Sequence, residues 1–443
     1  MRQRDILFFW FPLFASWLLM AAEGPIISAA INRLPDEVIM LAAMGIVMSL
    51  SVTIESPIIN LLATSTALVK DEATYRLVRR FTIHWCIALT VVAFLIAYTR
   101  LFDVIIIDLL DVPAEVAVWV RPGMQIMVFW SAAIGWRRFL QGILIRYNHT
   151  RRIAVGTAVR LVASGGVVVL LAIWGSLPGV VIGSIALMAG VLAEAAYITL
   201  VVQPVLRDEV TVTAPANPGE ELTYQRLFWF HLPLAATSFL ILLMQPLVTS
   251  SLARLEQPTA SLAAWPVVFQ VLLMARAAAL ALPEVIIARY QDRDSFLPLR
   301  RFSFLLGIIV TVVMIVFSLS PLAGYYIFQV QDMTAEVGTL ALTTLPLFIL
   351  FPALAVLISW LRGLLIHGYH TRYVNFGMGI NLTVTALILI LGVSLRWSGL
   401  PTAALALNLA AASESLYLAW RTQSTLPFDL RLFGTPKTQF SPP

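Results

Sequence analysis

Long, uninterrupted apolar stretches of about 20 residues or more recur along almost the whole chain, and each is long enough to cross a bilayer. Hydrophobic residues make up 60% of the 443 residues and charged residues only 12%, against about 25% in a typical soluble domain. A chain this apolar cannot hide its side chains in a water-soluble core. Only helices and closed barrels satisfy their own backbone hydrogen bonds in lipid. Because the stretches lack the alternation of barrel strands, the sequence predicts membrane-spanning helices.

Turn signals divide these stretches into about twelve predicted helices. Proline-containing turns such as Leu34-Pro35-Asp36 and Glu256-Gln257-Pro258 separate them. The predicted spans are residues 6–31, 38–69, 81–108, 116–146, 152–173, 178–203, 226–252, 259–289, 302–328, 336–367, 372–394 and 399–421. The predicted fold class is therefore an all-α polytopic membrane protein.

Basic residues are distributed unequally between the two sides of the predicted bundle. One side carries most of them, whereas the other has only Arg33, Arg100, Arg121, Arg254 and Arg396. Since basic loops stay in the cytoplasm, we expect both termini there, and the short loops favour a bacterial cytoplasmic membrane. The net charge of +5 is explained in the same way, so the expected partner is the lipid bilayer and not a nucleic acid.

One long polar connection, residues 204–225, interrupts the apolar pattern. Its Pro, Thr, Glu and Asn content is typical of a flexible linker. The sequence therefore predicts an N-lobe of six helices at 1–203, this cytoplasmic linker, and a C-lobe of six helices at 226–421. The remaining residues, 422–443, form a Pro-rich cytoplasmic tail that we expect to be poorly ordered.

The two halves repeat each other at a constant spacing of 221 residues along the chain (370 − 149 = 221), which we call the repeat offset. It relates His149-Thr150-Arg151 to His370-Thr371-Arg372, and it relates Glu194 to Glu414 with a shift of one position. Six spans is an even number, so both repeats start on the same side of the membrane and lie parallel. Two parallel lobes around an axis normal to the membrane leave a cleft between them, where we expect the substrate to bind.

This arrangement, with prolines in the first helix of each half, resembles the MATE-like exporters of the multidrug/oligosaccharidyl-lipid/polysaccharide (MOP) superfamily. The segments "FWFPLFASWLLMAAEGPIISAAINRL" and "FWFHLPLAATSFLILLMQPLVTSSLAR" resemble the first helix of each half in the progressive ankylosis protein family. "QGILIRYNHTRR" and "RGLLIHGYHTRY", with Glu414-Ser415, are similar to that family as well. The resemblance implies a V-shaped pair of lobes, alternating access, and export of organic or phosphate anions such as pyrophosphate, citrate or nucleotides.

The resemblance also implies two site residues. That family carries a basic residue just before the proline equivalent to Pro246, and Gln245 takes this place here, so it is a candidate for substrate binding. An acidic residue of the first helix often binds the coupling proton or sodium ion in MATE-like exporters, which makes Glu23 the candidate. For Glu23 the alternative is an acid near the interface, exposed to water on the outer side.

Ionisable residues inside spans are costly and are therefore candidates for function. Glu55 and Arg276 each lie about 17 residues into a predicted span, near mid-bilayer at about 1.5 Å per residue, and the repeat offset makes them equivalents. We expect both to face the cleft, either paired with each other or divided between substrate and coupling ion. The alternative is a structural ion pair or a charge that reaches into a water-filled cavity.

A second group of arginines, Arg137, Arg138, Arg160 and Arg362, lies about 8–14 Å inside the cytoplasmic boundary at the same rise per residue. Guanidiniums near a cleft attract anions and bind carboxylate or phosphate groups bidentately. The alternative is that they reach back to the cytoplasmic headgroups. Asn381 is the repeat equivalent of Arg160 and joins the candidate substrate site.

Glu194 and Glu414 are repeat equivalents in the last helix of each lobe. A structural role is favoured for both of them. Ion coupling is the second interpretation for Glu194.

The sequence contains no Walker A loop and no HExxH pair, so we expect a transporter and not an enzyme, with no cofactor or metal beyond a coupling proton or sodium ion. The single Cys86 excludes an internal disulfide. The predicted function is secondary active export of a small anion by a monomer, with Arg276, Arg138 and Arg160 contacting the substrate. A multidrug cation antiporter, a lipid-linked precursor flippase, and a membrane scaffold or receptor are the alternatives.

Overall fold

The computed structural model describes residues 2–147, 149–211, 222–290, 293–368 and 370–425. Within these ranges the chain is helical and contains no strand, which confirms the all-α fold class. We number the helices α1 (Gln3–Ile31), α2 (Glu37–Leu68), α3 (Glu72–Tyr98), α4 (Ala114–Ile126 and Trp130–Arg146), α5 (Thr150–Trp174), α6 (Gly179–Val210), α7 (Tyr224–Arg254), α8 (Pro258–Arg289), α9 (Asp294–Leu319), α10 (Ala335–Phe348 and Phe351–His367), α11 (Thr371–Ser394) and α12 (Gly399–Thr425).

Most of these helices could cross a membrane by length and composition. In the described part of the chain, nine qualify singly, and ten qualify if the two pieces of α10, which meet at 47°, form one span. Two predicted spans fall short. The helix α4 is divided by a 3-10 turn at Met127–Phe129, and α12 carries the polar residues Asn408 and Glu414 within its length.

The third and ninth helices begin earlier than predicted, which corrects the boundaries 81–108 and 302–328. Asp71 caps α3 by accepting a hydrogen bond from the Thr74 backbone amide at 2.9 Å, so the helix starts well before its apolar run. The helix also ends earlier, and a separate π-helical segment, Val104–Leu109, follows it. The equivalent segment of the second half, Tyr326–Val330, follows α9 in the same way.

The helix α6 runs past residue 204, where the sequence predicts the linker to begin. Its last segment, Leu206–Val210, is π-helical, and Val210 is buried in a core that also contains Val205. This apolar continuation explains why the helix does not stop at Pro204. Residues 212–221 of the predicted linker and 426–443 of the predicted tail lie outside the described residues.

The backbone follows the repeat offset at its turns. Six described residues have φ between 49° and 67°, and they form three pairs of repeat equivalents: Asp36 with Gln257, Asp111 with Asp332, and Gly175 with Arg396. Left-handed φ is uncommon outside glycine, so three coincidences of this kind are not expected by chance. The two halves therefore repeat each other in conformation as well as in sequence.

The two halves also contact each other through equivalent hydrogen bonds. Trp10 of α1 donates from Nε1 to the Ala278 carbonyl of α8 at 3.0 Å. His231 of α7 lies 2.9 Å from the Pro57 carbonyl of α2 through Nε2. The repeat offset maps each of these contacts onto the other, so a pseudo-two-fold axis relates the halves. Gly45 and its own equivalent, Pro266, meet beside this axis, where a Cβ at Gly45 would lie 2.6 Å from Pro266 Cγ.

We call the end of the bundle where α1 begins the near end, and the end where α1 turns into α2 the far end. The sequence predicts that the near end is cytoplasmic. Equivalent ion pairs join the halves at the far end: Arg33 with Asp332 at 3.9 Å and Arg254 with Asp111 at 3.6 Å. The same arginines donate to the Val330 carbonyl at 3.0 Å and to the Leu109 carbonyl at 2.6 Å. Equivalent contacts therefore connect the two halves at the far end.

Candidate functional site

Buried polar side chains gather in one cluster in each half. The N-lobe cluster consists of Glu23 on α1, Glu55 on α2, Arg137, Arg138 and Gln141 on α4, Arg160 on α5 and Glu194 on α6. The C-lobe cluster consists of Arg276 on α8, Arg362 on α10, Asn381 on α11 and Glu414 on α12. The repeat makes Glu55 equivalent to Arg276, Gln141 to Arg362, Arg160 to Asn381, and Glu194 to Glu414.

In the N-lobe cluster, Arg160 binds Glu23 bidentately. Its Nε donates to the two carboxylate oxygens at 3.1 and 3.0 Å, and its Nη2 donates to Oε2 at 2.5 Å. Glu23 is only 6% exposed, so the alternative of an acid open to outer water is wrong. Gly190 lets α6 approach this pair, because a Cβ there would lie 3.2 Å from Glu23 Oε1.

Glu194 holds the second pair of the N-lobe cluster and is fully buried. It accepts from Arg137 and, at 3.0 Å, from Gln141 Nε2, and it lies 4.0 Å from Arg160 Nη1. Arg137 is 4% exposed, so both Arg137 and Arg160 are buried against carboxylates and do not reach the headgroups. The guanidinium of Arg160, a predicted substrate ligand, is occupied by Glu23.

Glu55 and Arg138 each have a buried polar atom without a hydrogen-bond partner among the described residues. Glu55 is 7% exposed, and its Oε2 has no hydrogen-bond partner among the described residues. The Nε of Arg138 is likewise unpaired within the described structure. The charges that act on Glu55 most strongly are Arg137, Arg138 and Arg160, all in its own half. Among the described side chains no ion pair joins Glu55 to Arg276, so the direct pairing, one of the two predicted arrangements, is not formed in this structure.

The C-lobe cluster lines a cavity of about 110 Å³. Arg276 is half-buried there, its Nε has no hydrogen-bond partner within the described chain, and its guanidinium carbon lies 5.4 Å above the centre of the Phe351 ring. The charges of Arg362 and Glu414 act on it electrostatically. An unpaired guanidinium therefore faces an open volume.

The other charges of this cavity neutralise each other. Arg362 donates to Glu414 Oε1 from Nε at 2.9 Å and from Nη2 at 2.5 Å. Asn381 Nδ2 donates to Glu414 Oε2 at 2.9 Å. Both carboxylate oxygens are thus occupied, and Glu414 is 1% exposed. Two guanidiniums against one carboxylate leave the described lining of the cavity with a net charge of +1.

The structure divides the predicted site residues between the two clusters. Arg276, Arg362 and Asn381 share the C-lobe cavity, while Arg138 and Arg160 lie in the N-lobe cluster. Gln245 is half-buried and does not line the cavity, although its neighbour Met244 does.

Two side chains in the clusters were not predicted as site residues. Glu414 was assigned only a structural role, and Gln141 was not singled out at all. Gln141 could be found from the sequence through the repeat offset, which makes it the equivalent of the candidate Arg362.

No family model and no curated protein matches this sequence. Solved structures match nearly the whole chain. An inward-facing multidrug resistance MATE family transporter of the MOP superfamily gives a TM-score of 0.69 at 14% identity and covers 93% of this chain and 95% of its own. The chain has a MATE-like fold. The resemblance to the progressive ankylosis protein family finds no support in these comparisons.

Two other matches bear on function. The lipid II flippase MurJ in an inward closed conformation gives a TM-score of 0.71 at 12% identity and covers 96% of this chain and 89% of its own. A MOP superfamily transporter from Pyrococcus furiosus gives a TM-score of 0.64 at 13% identity, with coverages of 96% and 97%. That transporter is described as having a binding pocket of reverse polarity that suggests a different function. The same MATE-like fold thus occurs in proteins of different activity, so the site must decide the substrate.

Proposed function

We propose that this MATE-like chain is a secondary active exporter of small organic or phosphate anions, and that the anion binds in the C-lobe cavity. The observation that carries the proposal is the guanidinium of Arg276, which lines the cavity and has no carboxylate partner among the described residues. A charge in a membrane interior needs a counter-charge. An anionic substrate supplies one.

The position of the cavity supports transport by alternating access. Arg276 lies about midway along α8, and the Arg33–Asp332 and Arg254–Asp111 pairs connect the two halves at the far end of the bundle, which we take to be their closure. A substrate that enters from the near end would meet the cavity before this closure. Breaking both pairs would then be needed for release at the far end.

A multidrug cation antiporter is the weaker interpretation. A hydrophobic cation would be repelled by Arg276 and would find the carboxylate of Glu414 already bonded to Arg362 and Asn381. In the N-lobe cluster, Glu23 and Glu194 are also bonded to guanidiniums. At these three carboxylates such a substrate would have to displace an arginine first, which leaves Glu55 as the one acid of the two clusters that it could meet directly.

A flippase for an anionic lipid-linked precursor is the second candidate, because the lipid II flippase shares this fold. A groove at the far end supports it. Pro25, Ala29 and Arg33 of α1 line this groove together with Ile173 of α5, and it encloses about 620 Å³. Translocation of a fluorescent lipid-linked diphosphate, without uptake of any water-soluble anion, would favour this candidate.

Uptake into proteoliposomes tests the leading proposal. Labelled benzoate, citrate and pyrophosphate are compared with a cationic dye, each with a proton or sodium gradient. We expect saturable uptake of at least one anion, and a loss of at least about 30-fold in Arg276→Gln, since removing one partner of a buried charge pair costs about 2–5 kcal/mol.

The matched control is Arg100→Gln, which removes an exposed guanidinium outside both clusters and should leave uptake unchanged. Uptake of the dye without uptake of any anion would overturn the proposal. So would anion uptake that Arg276→Gln leaves intact.

A further inference from the structure

We propose that the C-lobe cavity selects anions with a single negative charge and an apolar body, such as an aromatic monocarboxylate, over polyanions. This inference rests on the proposed function and narrows its substrate class. It departs from pyrophosphate, citrate and nucleotides, which the sequence resemblance implies and which carry several negative charges.

The first argument is the charge that the cavity leaves unpaired. Arg362 gives two donors to Glu414, and Asn381 gives a third, so these residues form a closed unit. Glu414 is 1% exposed and cannot turn away to water. Of the charged residues that line the described cavity, Arg276 alone is left without a carboxylate partner, and one negative charge neutralises it.

The second argument is the cost of further negative charge. Each additional charge on a substrate would have to leave water without a partner, which is strongly unfavourable in a low-dielectric site. It would also lie near the carboxylate of Glu414. A polyanion therefore gains one ion pair with Arg276 and loses the hydration of its remaining charges.

The third argument is the wall of the cavity. Twelve of its seventeen lining residues are apolar, among them Met244, Leu280, Phe351, Met378 and Leu407. Apolar walls favour an apolar ligand body by about 25 cal/mol per Å² removed from water. Two methionines in the wall add adaptability, because an unbranched thioether fills irregular gaps. The described cavity thus offers one charged contact and a mainly apolar remainder.

Direct binding to the protein in lipid nanodiscs tests the inference by calorimetry. The probes are benzoate, its neutral analogue benzyl alcohol, citrate and pyrophosphate. We expect benzoate to bind at least about tenfold more tightly than each of the other three, a difference that corresponds to about 1.4 kcal/mol. Equal or tighter binding of citrate or pyrophosphate would overturn it.

Two substitutions raise the charge of the cavity and should change its selectivity. Glu414→Gln removes the carboxylate, and Asn381→Arg introduces the residue that the N-lobe has at the equivalent position, Arg160. Either change should raise the affinity for the dianion phthalate relative to benzoate at least about tenfold. Because two independent variants carry this prediction, failure of one to fold leaves the other as the test. A folded variant with an unchanged ratio contradicts the inference.

The outcomes also separate the inference from the proposed function. If no anion binds or is transported, the proposed function itself fails. If polyanions are transported and monocarboxylates are not, the anion exporter stands and only the substrate class is wrong.

Discussion

The two polar clusters occupy equivalent places in the two halves, yet they are built on opposite principles. The N-lobe cluster has three acids and three arginines, so its charges balance. Arg160–Glu23 and Arg137–Glu194 are direct pairs within it. The C-lobe cluster keeps one such pair, Arg362–Glu414, and adds a guanidinium without a carboxylate. The repeat thus fixes where polar side chains lie, and the residue types decide whether they form a closed core or an open site.

Substitution at two equivalent positions accounts for much of this difference. Glu23 and Arg160 correspond to Met244 and Asn381, so the bidentate ion pair of the N-lobe has no counterpart in the C-lobe. Met244 and Asn381 instead line the cavity. Neutral groups at these two positions thus accompany an open volume in the C-lobe, where Arg276 has no carboxylate partner among the described residues.

Removing the equivalent acids Glu194 and Glu414, one from each cluster, should have the largest effect and tests the comparison directly. We expect Glu194→Ala to destabilise the protein by about 3–5 kcal/mol, because Arg137 is left buried without its partner. Glu414→Ala should cost less, about 1–3 kcal/mol, since the Arg362 side chain is 27% exposed to the cavity. Reversible unfolding in mixed detergent micelles measures both. Equal losses would mean that the C-lobe cluster is as closed as the N-lobe cluster.

A double-mutant cycle on Arg160 and Glu23 sharpens the comparison and has a smaller expected effect. Each single change to leucine should lower the free energy of unfolding by about 2–4 kcal/mol. The double change should cost at least about 1 kcal/mol less than the sum of the two single changes, because no unpaired charge remains. The C-lobe already tolerates uncharged residues at these positions. The same unfolding assay applies, and strictly additive losses would show that the pair acts only through other partners.

The smallest loss of stability is expected from substitutions at the far end, where equivalent changes in the two halves should have the same effect. Asp111→Asn and Asp332→Asn each break one ion pair whose side chains are partly exposed, so each should cost about 0.2–1 kcal/mol. Because the pairs are equivalent, their effects should agree, and the double change should raise the population that is open at the far end.

Spin labels at the equivalent exposed residues Leu101 and Leu322 report this opening by distance measurement, with the buried Cys86 replaced by serine. Two single changes with clearly different effects would show that the far end is not symmetric. A double change that leaves the distance distribution as in the parent would show that these pairs do not hold it closed.

Much of the fold could be predicted from the sequence because it depends on local properties. The length of the apolar stretches and the prolines between them are enough to place most helices. The turns predicted at Leu34-Pro35-Asp36 and Glu256-Gln257-Pro258 are repeat equivalents, and Asp36 and Gln257 share a left-handed φ in the structure. The errors lie where a polar helix end continues into water, as at the start of α3, since hydropathy does not register a capped helix that has left the membrane.

The candidate site could be predicted only in part. Ionisable residues inside spans are conspicuous, so Glu55, Arg276 and Arg160 were found. Which of them pair could not be predicted, because Arg160 and Glu23 are 137 residues apart and meet only when α5 packs on α1. The partners of Glu414 could not be predicted for the same reason, since Arg362 and Asn381 lie on two other helices.

The sequence by itself determined that the chain is a helical membrane protein with two repeated halves, because lipid permits few backbone conformations and the apolar pattern repeats. Only the tertiary structure decided which charges pair with each other, and that Arg276 is left without a carboxylate partner among the described residues that line the C-lobe cavity. A charge in a low-dielectric interior is governed by its neighbours within a few ångströms, and those neighbours come from helices that are distant in sequence. The distinction between a buried ion pair and a binding site is therefore a property of packing.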